Sequence, residues 1–489
     1  MTYSEKVKGC FLGKCLGGGI GMAFEGVPYR PEMTEEKIFM QDVPNDDMEM
    51  QLIWVKALEE YGLALGNKEM GDIWLRYIPH GCDEYSMAQR NLRRGIMPPA
   101  SGWKDNFFVD GMGATIRSEV WGAIFAGRPD AAMHFAEIDS SVDHWGDGVW
   151  GEIFMAAADC QAFTTGDRVG ALRFALEQIP ADCRVGRTIS WVFSLYDQGM
   201  DAASAREAIL VKTHSPNFTD CVMNLSYVVY ALLWGEGDFI KSVLMAVNMG
   251  RDTDCTAATA GAFLGILGAI PEKWAAMVKD ELIVSPFIRN IPGVPLSLDE
   301  LVGRIALLHE KYGDPAEKYG RYIPYQPTGN EPSFDRSEYL IIPEEPENMA
   351  LIERLSKGGK ATEEEKKQFK ALFDDLILDL SPWAKNGNRL HLFSELEVND
   401  PPEDAVLSMT ADVGCVLHID GKQLLSHHSR LACLPSFHRA EGGAAFLWQV
   451  PKKRVPVHIT LYSCMPPLRC CLMFGNIYYD HLEGFKLTV

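Results

Sequence analysis

GRDTDCTAATAGAFLGILGAI, residues 250–270, sets an acidic pair directly ahead of a long Ala- and Gly-rich run. It opens with Asp252 and Asp254, and the Ala- and Gly-rich run behind them reads as a closely packed, buried helix. In a regular helix, side chains two positions apart point in well-separated directions, so these aspartates converge only in a loop or at a helix start. Gly250 suits the turn that such a start needs. Far earlier in the chain, NDDMEM at residues 45–50 holds a second acidic pair, Asp46 and Asp47. Leu52, Val55, Leu58 and Leu63 follow at near-helical intervals, which places that pair at or near a helix N-terminus, where the helix dipole favours anions. A simple N-cap explains one aspartate there and two adjacent ones less readily. For Asp252 and Asp254, an N-cap plus a surface aspartate stands level with a metal-binding pair.

Four carboxylates packed without a counter-charge raise each other's pKa values or separate. A divalent cation removes the conflict. Neither cluster contains His, so oxygen-seeking ions, Mg²⁺ first with Mn²⁺ or Ca²⁺ as alternatives, fit better than zinc.

Composition narrows the partners. The 46 Lys and Arg against 67 Asp and Glu give a net charge of −21, a field that repels phosphate backbones and anionic membrane surfaces. No nucleic-acid or membrane partner is expected, although a local basic pocket for one phosphorylated small molecule is compatible with that charge. The 47% hydrophobic and 23% charged content is that of a folded protein, and 489 residues exceed one core and imply two or three domains. The N-terminal apolar run has basic residues before it, as a signal peptide does, but Lys14 interrupts it and no small-residue cleavage site follows. It is also short for a membrane span. A soluble, cytoplasmic protein is expected. Twelve cysteines lack paired C-x-x-C spacing and read as buried free thiols, with no structural zinc site indicated.

The chain to about residue 318 reads as mostly helical. Gly9, Gly13, Gly17 and Gly21 recur every fourth residue and share one helical face, where a neighbouring backbone can approach closely. Tight helix packing is preferred to a phosphate loop, because no strand precedes LGGGIG. Four segments are predicted: a helical domain at 1–320, a Pro-rich linker at 321–349, a helical connector at 350–382 and a β-sandwich at 383–489. In the connector, Thr362 and Glu365 are spaced as a capping box, with Phe369, Leu372, Phe373 and Leu376 as the apolar face. In the last segment Leu407 and Met409 alternate with Ser408 and Thr410, and Val457, Ile459 and Leu461 with His458 and Thr460. These predict strands with one solvated face. Asp420-Gly421 supplies a hairpin turn.

Taken in order, GKCLGGGIGMAFEG ending near Glu25, the triplet Asn45-Asp46-Asp47, GMGATIR from Gly111 to Arg117, SSVDHWGDG around His144, and Asp252-Thr253-Asp254-Cys255 resemble the ADP-ribosylglycohydrolase superfamily. The similarity to this dinitrogenase reductase-activating glycohydrolase-like group runs through roughly residues 5–275, and the departures below resemble a divergent bacterial-type branch with an added C-terminal β-domain. The resemblance implies an all-α, orthogonal helical catalytic domain holding two Mg²⁺ ions, and cleavage at the anomeric carbon of a ribose in an ADP-ribosyl substrate. It assigns Asp46, Asp47, Asp252 and Asp254 to the metals, with Asn45 and Thr256 as further oxygen donors. Glu25, Asp47 and Asp254 are the catalytic assignments. Gly111, Gly113, Arg117, His144 and Trp145 are assigned to substrate.

Bland readings stand beside these. Glu25 reads equally as an exposed helix-end carboxylate, and Arg117 equally as an internal salt bridge. His144 reads better as a structural histidine, since Asp143 and Trp145 are ready partners. Trp145 and Trp150 offer a stacking surface or are simply core. Asn45 and Cys255 stand where the family has threonine, and Met112 where it has asparagine. A thiol is a poor partner for Mg²⁺, for which neighbouring Thr256 compensates. The function expected is a metal-dependent glycohydrolase acting on an ADP-ribosyl or related N-/O-glycosidic bond. The alternatives are a glycosidase for a non-nucleotide sugar, whose HIDGK and FHRAEGG segments belong to a carbohydrate-binding-like domain, and a non-catalytic crystallin-like relative.

Overall fold

The computed structural model describes residues 1–27, 31–78, 81–329, 331–332, 336–385, 387–428, 432–437 and 443–489. The chain divides into two units, one of Met1–Pro79 with Asn91–Pro327 and the other of His80–Arg90 with Thr328–Val489.

The first unit is helical, from Tyr3–Gly21 to Leu298–Tyr312. Its first helix starts on a reciprocal cap, in which the Thr2 side chain accepts from Glu5 N–H and the Glu5 side chain from Thr2 N–H. Such a glycine-rich helix is intrinsically poor, since each interior glycine costs about 1 kcal/mol relative to alanine. The compensation is contact. Antiparallel to it lies Thr253–Ile266, the buried helix expected from residues 250–270. A Cβ on Gly9, Gly13, Gly17 or Gly21 would collide with the carbonyl oxygens of Gly265, Gly261, Ala257 and Thr253 respectively. The reverse is also true, because a Cβ on Gly261 or Gly265 would meet the carbonyls of Gly13 and Gly9. Two backbones therefore meet with no side chain between them. The Thr253 hydroxyl donates to the Gly21 carbonyl at 2.8 Å and fastens the C-terminal end of one helix to the N-terminal end of the other.

The second unit is an antiparallel β-sandwich. One sheet runs in the order Lys370–Phe373, Ser337–Pro343, Asn388–Val398, Val455–Cys464, Cys415–Ile419, Lys422–His427, with Phe485–Thr488 also on Asn388–Val398. The other runs Ile377–Asp379, Arg469–Gly475, Asp404–Ala411, Gly443–Gln449. Leu392, Leu417 and Ile459 from the first sheet and Leu407, Met409 and Leu472 from the second share one core. Asp420 and Gly421, with φ of 51° and 73°, make the expected hairpin turn, whose positive φ at both positions matches strand twist.

Three details differ from the sequence reading. The segment 321–349 contains the strand Ser337–Pro343, with Tyr339 and Ile341 in the sandwich core and Leu340 and Ile342 against the helix Met349–Ser356. Burial on both faces erases the alternation that would have marked it as a strand. Between 350 and 382, the Thr362–Glu365 capping box is formed, but the helix ends at Phe369. Its supposed apolar face continues as the strand Lys370–Phe373, paired with Ser337–Leu340, so edge pairing overrides helical spacing. Ser408 and Thr410 are buried rather than solvated. Ser408 donates to the Ser436 carbonyl at 2.8 Å, and the Thr410 hydroxyl lies 3.3 Å from the Cys433 sulfur, so residues 433–436 cover that face.

An alanine in an ordinary helix interior stabilises relative to glycine, but Gly13→Ala should invert that sign and cost about 1–3 kcal/mol by overpacking. Urea unfolding followed by far-ultraviolet circular dichroism measures it. A neutral or stabilised variant would show that the helices do not meet backbone to backbone.

Candidate functional site

The helix contact brings the ends of three segments together. The first helix runs into a short 3-10 turn, Met22–Phe24, which leaves Glu25 exposed at its end. Gly250 and Arg251 both have left-handed backbone, φ of 78° and 71°, and this double reversal turns the chain into the late helix. Arg251 is a non-glycine residue in a costly conformation, held there by its carbonyl accepting from Gly26 N–H at 2.8 Å and its guanidinium donating to the Ser215 carbonyl at 2.7 Å. Asp252 caps the late helix and Asp254 lies in its first turn. The third segment is the start of Asp46–Tyr61, capped by Asn45, whose side-chain oxygen accepts from Asp47 N–H at 2.8 Å. The Asn45 amide then donates to Asp254 Oδ2 at 3.2 Å and links the early cluster to the late one. Two helix N-termini thus face one acidic centre, which favours its charge.

Two groups of ligand-type atoms result, each within 4.8 Å: Asp47 with Asp254 and Cys255, and Glu25 with Asp252 and Asp254. Asp254 belongs to both. Asp47, Asp252 and Asp254 are buried, and Asp47 Oδ2, Asp252 Oδ2 and Asp254 Oδ1 have no hydrogen-bond partner. Buried carboxylate oxygens are rarely left unsatisfied. Their charge costs several kcal/mol per ion when it is unpaired, so these oxygens fit a bound cation as partner. The Glu25 group offers only oxygen, as a hard ion requires. Asp46 is half-buried beside these groups, and its charge raises the pKa values of Asp252 and Asp254. The Thr256 hydroxyl donates to the Thr253 carbonyl at 3.3 Å.

Behind the centre lies a cation that the sequence reading used only to reject a signal peptide and a membrane span. Lys14 is buried on the first helix, with Nζ 3.3 Å from Asp47 Oδ1 and 2.9 Å from Glu119 Oε1. Gln51 donates to Glu119 Oε2 at 2.8 Å and to the Asp47 carbonyl at 2.9 Å, and its own oxygen accepts from Val120 N–H at 2.9 Å. Lys14 therefore holds the inner oxygen of Asp47 while the outer one faces the acidic centre. The signal was present: a lysine inside the otherwise uncharged run Gly9–Gly21, one position after Gly13, must either be exposed or be paired. Glu119 lies in no recognisable motif.

Burial pushes Asp47 up to about 7 despite the nearby Lys14 ammonium, with Asp46 and Glu119 adding repulsion. Asp252 and Asp254 are pushed well above the carboxylate range by burial first and then by Glu25. The cluster carries more negative charge than it can hold alone.

The residues assigned to substrate have protein partners of their own. Arg117 is fully buried, with Nε on Asp139 Oδ1 at 2.8 Å, its terminal nitrogens on Asp143 at 2.7 and 3.0 Å, and another bond to the Gly113 carbonyl at 3.0 Å. Its guanidinium also lies over the Trp74 ring at 5.4 Å. The internal salt bridge is the arrangement found, and burial closes that guanidinium to an anion from solvent. His144 is buried with Nδ1 2.9 Å from Asp143 Oδ1, the structural arrangement. Trp145 donates its indole N–H to the Tyr325 carbonyl at 2.8 Å. Gly111 forms a backbone bridge to Asp220. A cavity of about 70 Å³ touches Asn45, Asp47 and Lys14, but Glu25, Asp252 and Asp254 do not line it, and it is far below ligand size.

In the β-sandwich a cavity of about 950 Å³ is lined by Lys357, Lys360, Lys366, His418, Arg454 and His458, among others. The HIDGK segment supplies His418, Asp420 and Gly421 to that wall. Residues 438–442 of FHRAEGG lie outside the described residues. All twelve cysteines are free, and no helix among the described residues is long and apolar enough to cross a membrane.

The ADP-ribosylglycohydrolase family profile matches residues 1–314. The chain belongs to that family, and by this membership is a hydrolase. An uncharacterised protein of Archaeoglobus fulgidus is 26% identical over 299 residues, 56% of this chain and 92% of its own. The ADP-ribosylarginine hydrolase Tri1 of Pseudomonas putida is 23% identical over 299 residues, 56% of this chain and 74% of its own. A solved ADP-ribosylglycohydrolase-related protein complex superposes with a TM-score of 0.43 at 17% identity, covering 63% of this chain and 99% of that one.

Two outcomes follow from the electrostatics. Lys14→Met keeps the volume but leaves Asp47 and Glu119 buried without their cation, and should cost about 3–5 kcal/mol in chemical denaturation. A loss below 1 kcal/mol, on the order of a surface pair, would contradict the buried network. In metal-free protein, the raised carboxylates keep protons that the unfolded chain has released. Stability should therefore fall as pH rises from the unfolded aspartate value near 4, roughly, through the folded value of about 7 for Asp47. A cation replaces those protons, so the rise in melting temperature on adding Mg²⁺ or Mn²⁺ should be larger at pH 8 than at pH 5.5, by about a degree or more. An increment independent of pH would argue against cation binding by these carboxylates.

Proposed function

We propose that this chain is a cation-dependent glycohydrolase that cleaves the bond at the anomeric carbon of an ADP-ribosyl group, and that the centre formed by Glu25, Asp47, Asp252 and Asp254 is where it does so. The observation that carries the reading is the convergence of buried, unpartnered carboxylate oxygens from two distant segments on one point. Asp47, Asp252, Asp254 and Glu25 would hold divalent ions there, with Asp46 beside them and Asn45 bracing Asp254. Such ions, when bound, orient sugar hydroxyls and lower the pKa of a water to neutrality.

Glycoside cleavage passes through an oxocarbenium-like state, and an acidic centre stabilises developing positive charge at the anomeric carbon. Glu25 is the exposed member, so it can exchange protons with solvent, take one from an attacking water and pass one toward a departing group. Asp47 is fixed on one side by Lys14 and Asp254 by Asn45, which keeps the free oxygens of both oriented without substrate. The name of the Pseudomonas relative supports an ADP-ribosylated guanidine as the substrate to try first.

A second reading, a glycosidase for a non-nucleotide sugar, is favoured by the roughly 950 Å³ polar cavity in the β-sandwich. The carboxylate cluster argues against a non-catalytic relative, because a purely structural protein has no need to bury unpaired acid.

Asp254→Asn should retain native circular dichroism, lose the thermal stabilisation given by divalent cation, and slow release of ADP-ribose from ADP-ribosylated arginine by at least about 10³-fold. Retained turnover would remove the assignment. ADP-ribose should raise the melting temperature only when cation is present. Stabilisation by a simple pentose or hexose and none by ADP-ribose would move the assignment to the second reading.

A further inference from the structure

The two ligand groups of the acidic centre differ in chemistry. Glu25, Asp252 and Asp254 present oxygen alone, whereas Asp47 and Asp254 share their group with the sulfur of Cys255. We propose that the position framed by Asp47, Asp254 and Cys255 takes a thiophilic divalent cation of the zinc, cobalt(II) or iron(II) class, with the Cys255 sulfur as a direct ligand, while the all-oxygen position takes a hard cation. This rests on the reading of the cluster as a cation centre and specifies which ions it holds.

The geometry suits direct ligation. With metal–sulfur and metal–oxygen bonds of about 2.3 and 2.2 Å, ligands on opposite sides of one ion stand no more than about 4.5 Å apart. The three ligand atoms here lie within 4.8 Å of one another, so small side-chain rotations close on a single ion. Asp47 Oδ2 and Asp254 Oδ1 are the second observation, since both are orphaned on residues only 2% and 3% exposed. Among the described residues, Cys255 is the only cysteine in such a group. Its sulfur lies within 4.8 Å of both the Asp47 and Asp254 carboxylates, so it is turned toward the acids. A side chain chosen only for packing at the first turn of an Ala-rich helix would have no reason to face two carboxylates. Thiolate ligands select zinc and other borderline or soft ions over magnesium. Binding exchanges the S–H bond for a sulfur–metal bond and releases one proton to solvent, with no change of oxidation state.

The test uses the full chain, stripped of metal with a chelator and titrated with Mg²⁺, Zn²⁺ and Co²⁺ by calorimetry, in wild type and in Cys255→Ser. Cobalt(II) bound to wild type should show a near-ultraviolet thiolate-to-cobalt charge-transfer absorption that Cys255→Ser lacks. Affinity for Zn²⁺ and Co²⁺ should fall in the variant by at least about 10–100-fold, the loss that even a ligand's supporting partner produces. Mg²⁺ affinity should be unchanged. Calorimetric cobalt binding to wild type without the charge-transfer band overturns the sulfur ligand and leaves the cation-dependent hydrolase standing. Failure of every cation to bind overturns both. The wild-type spectrum decides the question even where Cys255→Ser does not fold.

Discussion

Everything in the helical unit that bears on chemistry depends on two backbones touching. The face made by Gly9, Gly13, Gly17 and Gly21 has no side chains, and Gly261, Gly265 and Ala257 nearly none opposite. The consequence is positional. Antiparallel packing at this distance leaves no freedom of register, because a slip of one residue would drive a Cβ into a carbonyl. Register then fixes which residues leave the C-terminal end of one helix beside the N-terminal end of the other, and those are Glu25, Asp252 and Asp254. A leucine-packed interface would tolerate small shifts, whereas a carboxylate centre loses its geometry with displacements of an ångström.

The same contact explains how so much acid survives burial. Lys14 projects from the first helix, one position past Gly13, and its ammonium is already committed to Asp47 and Glu119. The two helix N-termini contribute partial positive charge but no full ion. What remains is a surplus of negative charge, with raised carboxylate pKa values as its symptom. Among the described residues the Lys14 side chain pairs with the inner half of the cluster, and on the proposed reading bound cations would neutralise the outer half. The division also orients the site: the fixed charge marks the wall and the exchangeable charge marks the mouth.

Much of this was legible in the chain. The four-residue glycine period announced a close helix approach, although nothing local could say which helix would answer it. That information lies in matching two distant small-residue faces. The early acidic cluster announced a helix start through the apolar spacing behind it and the late one through Gly250 and the Ala- and Gly-rich run, and both starts were found. Their convergence came from family resemblance rather than from spacing. The hidden parts share a physical cause. Ser337–Pro343 is covered on both faces, so its period vanished, and Lys370–Phe373 keeps helical spacing while pairing at a sheet edge. Arg117 carries the same one-letter signal whether it meets a phosphate or Asp139 and Asp143, and only burial separates the two. Lys14 and Glu119 pair across 105 positions, beyond any local pattern.

Exposure separates the roles within the centre. Asp47, Asp252 and Asp254 are buried, and their environment penalises taking up charge as solvent protons come and go, which suits groups that hold a permanent cation. Glu25 is exposed at the end of the short turn after the first helix and keeps contact with bulk water. A residue that gives and receives a proton in each cycle needs that access, and an exposed carboxylate at the rim has one oxygen to turn to a cation and one to turn to water. The chain achieves the difference by ending a glycine helix at Gly21 and allowing the three residues Met22–Phe24 before Glu25, just far enough to bring one carboxylate out of the core while its three partners stay inside.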